Sequence, residues 1–70
     1  MDRIVFSRDV MHGKPSVAGT RITVAQVLDL LAAGKTPAEV ISEDYYPDLT
    51  LDDVRACLFY ASRIIRDEVF

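Results

Sequence analysis

Gly13-Lys14-Pro15-Ser16-Val17-Ala18-Gly19-Thr20-Arg21-Ile22-Thr23-Val24 is the stretch that separates irregular chain from helical chain. Gly13, Pro15 and Gly19 fall within seven residues, a density that marks a tightly shaped connection. Pro15 fixes its own φ and drives Lys14 toward extended geometry, while glycine reaches conformations closed to other residues. The run ends in a helix-start signal. Thr23 is placed as the N-cap, Gln26 completes a capping box at N3, and Ile22 with Val27 forms the hydrophobic staple. Gly13 to Ile22 therefore reads as a lead-in to a helical domain.

Downstream, the capping grammar repeats. Val24 to about Ala33 forms a first helix, with Val24, Val27, Leu28 and Leu31 on one face and Gly34 as its stop. Thr36 opens a second helix, with Pro37 at N1 and Glu39 closing a second box, expected to run to about Asp44. Thr50 opens a third, with Asp53 at N3 and Leu49 and Val54 as staple, expected to run to about Glu68. Pro47 forbids a continuous helix between the last two, and Tyr45 and Tyr46 beside it read as a lid on the bundle. Upstream, Arg3-Ile4-Val5-Phe6 reads as a short strand, with a second extended piece near Ser16-Val17. The fold expected is a mainly α, helix-turn-helix-type bundle of three helices preceded by a short N-terminal β element. It is a single domain over 1–70, with the β element and lead-in at 1–22 and the bundle at 23–70.

Seventy residues can bury only about 60% of their unfolded surface, so such a core is marginal without a staple or a partner. Cys57 is the only cysteine, which excludes an intrachain disulfide, and with His12 it cannot make a structural zinc site. Half the residues are hydrophobic, so extra burial is expected from a homodimer or higher oligomer, with the strand at Arg3-Phe6 seeking its partner in another chain. Ile4-Val5-Phe6 is too short for the apolar region of a secretory signal and no run is long enough to span a bilayer, so a cytoplasmic location without membrane contact is expected.

The net charge of −3 conceals a split: residues 1–35 carry +2 and residues 36–70 carry −5. An anionic partner such as operator DNA would therefore meet the N-terminal half, through Arg3, Lys14 and Arg21, with Arg8 less well placed. Asp52 and Asp53 open the third helix, where phosphates would repel them, and they are better explained as complements of the helix dipole. The bland alternative, that these charges solvate the surface, stands beside the DNA reading for Arg8 and Lys14.

No catalytic constellation, cofactor motif or metal-ligand spacing is present, so a non-enzyme without cofactor or metal is expected. Gly13-Lys14 lacks the upstream glycine and following hydroxyl of a phosphate loop. Asp48, Asp52 and Asp53 match no calcium loop. On the third helix, Leu51, Val54, Cys57, Leu58, Ala61, Ile64 and Ile65 fall on one side and are expected to face the core. Roughly opposite stand Phe59, Arg63, Arg66 and Phe70, the aromatic and arginine composition favoured at binding hot spots. Phe59 packed under the N-terminal segment and Phe70 as a frayed end is the competing explanation.

The run from His12 to Val24, followed in order by Leu31-Ala32-Ala33-Gly34, Thr36-Pro37, Glu39-Val40-Ile41, Tyr46-Pro47-Asp48-Leu49-Thr50, Asp53-Val54 and Tyr60-Ala61, resembles domain-of-unknown-function family 433. The Gly-Lys-Pro and Gly-Thr-Arg-Ile elements at fixed spacing are the specific part. The resemblance implies a homeodomain-like three-helix fold behind a short β element. It also implies an antitoxin of a type II toxin–antitoxin pair, which occludes a PIN-like ribonuclease toxin and binds its own operator. It brings no catalytic residues. A helix-turn-helix transcriptional regulator without a toxin partner is the alternative.

Overall fold

In the computed structural model, which describes residues 3–6 and 13–69 (without the side chains of residues 68 and 69), three helices stand against a two-stranded antiparallel sheet. The order is β1 (Ile4–Val5), β2 (Ser16–Val17), α1 (Val24–Ala32), α2 (Pro37–Val40) and α3 (Leu51–Val69). His12, Arg8 and Phe70 lie outside the described residues.

The lead-in is a web of backbone bonds. The turn Val17–Thr20 closes with the Thr20 N–H donating to the Val17 carbonyl at 3.0 Å. Gly19 takes φ +78° at its third position, where a type II turn demands a residue free of a Cβ. The Thr20 hydroxyl also donates to the Val17 carbonyl, at 2.8 Å, and accepts the Ile22 N–H at 3.0 Å. Val17 N–H donates to Ile22 and Val24 N–H to Pro15, so the chain folds back on itself before the first helix begins. Ser16, buried, satisfies its hydroxyl on the Lys14 carbonyl.

Each helix starts on its threonine. Thr23 accepts from the Gln26 N–H at 3.1 Å while Gln26 Oε1 accepts the Thr23 N–H at 2.7 Å. Thr36 and Glu39 reproduce the exchange. Thr50 and Asp53 do so with the shorter acid, at 2.9 and 3.2 Å. At the C-terminus of α1, Gly34 N–H donates to Leu31 and Lys35 N–H to Leu30, a Schellman closure that requires the φ of +96° at Gly34.

α2 stops at Val40 rather than near Asp44. The Ser42 hydroxyl takes the Glu39 carbonyl at 2.6 Å and accepts the Asp44 N–H, offering the backbone a turn in place of helix. Glu43 and Asp44 would also place negative charge at a negative helix end. Of the two tyrosines, Tyr46 packs on the core while Tyr45 is exposed, with the Lys35 ammonium 5.7 Å from its ring centre.

β1 finds its partner within the chain. Ile4 pairs with Val17 and Val5 with Ser16, and Ala18 N–H donates to the Arg3 carbonyl. The expectation that this strand must seek another chain is therefore corrected. The Ser16-Val17 piece, anticipated as extended, supplies the missing ladder.

The core is small: Val17, Val24, Val27, Val40, Leu49, Val54 and Cys57, with Ile4, Ile22, Leu28, Leu31, Tyr46 and Tyr60 among the half-buried residues around it. The core face expected for α3 is only partly realised. Val54 and Cys57 are buried, but Leu51, Leu58, Ile64 and Ile65 are exposed. Leu51 and Leu58, level with the buried Val54 and Cys57, are turned to the edge of the packed face, whereas length explains Ile64 and Ile65. At about 1.5 Å per residue, the nine residues of α1 and four of α2 cannot cover the nineteen of α3. No helix among the described residues is long and apolar enough to cross a membrane.

Candidate interaction face

β1 crosses the first half of α3 and is pinned there by charge. Arg3 Nη1 lies 3.1 Å from Asp53 Oδ1, and Nη2 lies 3.7 Å from Asp52 Oδ2. The Asp53 carboxyl is only 13% exposed, and burial opposes its ionisation. Hydrogen bonds from Thr50 and from Arg3 outweigh that penalty and hold its pKa below the ordinary 3.8. Arg3, one of three cations assigned to DNA from the sequence, is thus engaged with the opening turn of α3. Lys14 and Arg21, the other two, are exposed on the lead-in.

Beside this pair lies a recess of about 400 Å³, lined by Arg3 just before β1, by Ile4 of β1, and by Ala56, Phe59, Tyr60 and Arg63 from α3. Its aromatic wall comes from α3, and behind it Tyr60 meets Phe6 at 6.0 Å between ring centres. Phe59 is 62% exposed at its rim, and the Arg63 guanidinium stands over the ring at 5.7 Å from its centre. A shallower recess next to it is lined by Arg3, Asp52, Arg55 and Phe59. Phe59 is therefore an exposed aromatic flanked by Arg55 and Arg63 on its own helix and approached by Arg3 across the sheet. The explanation in which Phe59 packs under the N-terminal segment does not describe this exposure.

Of the four residues singled out on the outer face, Phe59 and Arg63 are brought into contact. Arg66 is exposed one turn further on, and Phe70 lies outside the described residues. Gly13, Pro15, Gly19, Thr20, Thr23 and Gly34 shape turns and caps away from this recess. Arg55, Tyr60 and Ile64 belong to the face and were not anticipated there. Ile64 carries an apolar residue's ordinary core signal, and only the shortness of the neighbouring helices tells that nothing covers it.

Cys57, the one thiol, is buried, and burial first and Asp53 second push its pKa up to about 11. Among the described residues no three His, Cys, Asp or Glu side chains converge to hold a metal ion.

No curated protein and no solved structure matches the chain at a significant level. One family model does, over residues 4–61, a span that holds both strands, the capped helices and most of α3: the chain belongs to the family described as Protein of unknown function (DUF433).

Proposed function

We propose that this protein is the antitoxin of a type II toxin–antitoxin pair, and that it neutralises a PIN-like ribonuclease by docking the outer face of α3. One observation carries this reading: Phe59 stands exposed on a helix that outruns its core, stacked by Arg63 and flanked by Arg55. An exposed aromatic ringed by arginines is the composition of a binding hot spot, and water exclusion around the ring would strengthen each arginine's bond to a carboxylate. A nuclease that holds metal with clustered carboxylates presents the complementary chemistry. The homeodomain-like arrangement belongs to this proposal too, with α2 and α3 as its helix-turn-helix pair.

Co-expression with the neighbouring gene, followed by affinity capture and growth rescue, tests the reading. Phe59→Ala with Arg63→Ala should weaken capture by about 2 kcal/mol or more, roughly thirtyfold, and abolish rescue with an unchanged circular-dichroism spectrum. Full rescue by that variant contradicts it. A regulator that binds operator DNA without a toxin is the second reading, and it rests on Lys14 and Arg21, both exposed on the lead-in. In that case Arg21→Ala abolishes a mobility shift that Phe59→Ala leaves intact.

A further inference from the structure

Leu51, Leu58 and Ile65 are spaced seven residues apart along α3, and all three are exposed, at 52%, 46% and 60%. A seven-residue repeat of large aliphatic residues keeps one side chain per two turns on a single stripe, the seam by which two helices coil about each other. Ala61, half-buried, lies between Leu58 and Ile65 on the core side of the stripe. At its C-terminal end the stripe borders a groove of about 260 Å³ in which Ala25 and Leu28 of α1 face Ala61 and Ile65. This stripe is distinct from the Phe59 face, because one residue turns the helix by about 100°.

We infer that the stripe Leu51–Leu58–Ile65 is the seam of a two-fold dimer in which α3 packs antiparallel against α3 of a second copy. Charge fits a second copy laid antiparallel. The N-terminal end of α3 is acidic on its surface, with Asp48 and Asp52 exposed, whereas Arg66 stands exposed toward the other end. With Leu58 meeting its own copy on the axis, Leu51 falls opposite Ile65. Arg66 then lies eight residues beyond the axis, beside the Asp48–Asp52 turn of the second copy. The antiparallel register also brings Leu51 of one copy to the Ala25–Leu28–Ile65 groove of the other, an apolar knob for an apolar hole.

The seam is independent of the ribonuclease reading. Phe59→Ala with Arg63→Ala leaves self-association unchanged if the inference holds, so the two proposals fail separately. Sedimentation equilibrium from low micromolar to a few hundred micromolar should show the wild-type chain passing from monomer to dimer. Leu58→Glu, at an already exposed position, should weaken association by about tenfold or more while the folded spectrum persists. Arg66→Glu should weaken it less, and Arg66→Glu with Asp48→Arg should restore it. Direction is read by cross-linking: a mixture of Leu51→Cys and Ile65→Cys chains should form the mixed disulfide faster than either chain forms its own. A wild-type chain monomeric over the whole range, a Leu58→Glu chain that dimerises normally, or faster disulfide formation by Leu51→Cys alone would overturn the inference.

Discussion

Gly34 and Cys57 show how single residues are committed in this chain. A Cβ at Gly34 would meet nothing within 4 Å, so its cost is purely the backbone's. Gly34→Ala, holding φ +96°, should lose about 1–2 kcal/mol, and each kcal/mol should lower Tm by about 4–8 °C in a domain of this size. Differential scanning calorimetry checks it, and an unchanged Tm would mean the Schellman closure is dispensable. Cys57 is committed to the core instead. With its thiol pushed up to about 11, the native protein should react with a disulfide reagent at pH 8 at least a hundredfold more slowly than the unfolded chain. Rapid labelling of the folded protein would place Cys57 outside the core.

At the scale of elements, the N-terminus of α3 is where the sheet and the bundle are joined. Asp53 caps α3 through Thr50 and receives Arg3 from the chain just before β1, so one carboxylate serves two elements. Because its folded pKa lies below the ordinary value of 3.8, its ionised form stabilises the fold at every pH above that value. The contribution is lost as pH falls from there through the depressed folded value. Asp53→Asn should therefore lower neutral-pH stability by about 1 kcal/mol and flatten the acid limb of a stability–pH profile. A residual slope should persist from Glu39, whose pKa is also lowered, by its bonds to Thr36. An unaltered acid limb would show that the Arg3–Asp53 junction carries no stability.

The elements themselves were legible because their ends are written in local chemistry. Thr23, Thr36 and Thr50 each recruit the residue three positions on, and Gly34 closes α1 within a residue of its expected end. What periodicity could not disclose was coverage. Leu58, Ile64 and Ile65 have the spacing of a core face, but burial depends on the reach of other helices, which no residue within α3 encodes. The α2 end was missed for a local reason, the competition of the Ser42 hydroxyl for a helix carbonyl. Composition alone singles out Phe59 and Arg63 as candidates, while Arg55 and Tyr60 need the sheet to be placed before their side of the helix has meaning.

Among the described residues, a small core of seven buried hydrophobic side chains carries a helix about twice as long as α1 and more than four times as long as α2. Chain of that length would be trimmed by packing alone, since each uncovered aliphatic residue adds apolar surface to water without adding to the fold. The two proposals place two binding stripes on that helix: an aliphatic seam for a second copy and an aromatic–arginine face for a carboxylate-rich partner. Salt should weaken the second more than the first, because its attraction is charge-assisted. The most direct measurement is a ¹H–¹⁵N correlation titration of the labelled protein with the PIN-like ribonuclease proposed as its partner. The account predicts that shifts and broadening concentrate on residues 55–67 of α3 and on β1. Perturbation confined to Lys14–Arg21, with the amides of Phe59 and Arg63 unmoved, would contradict it.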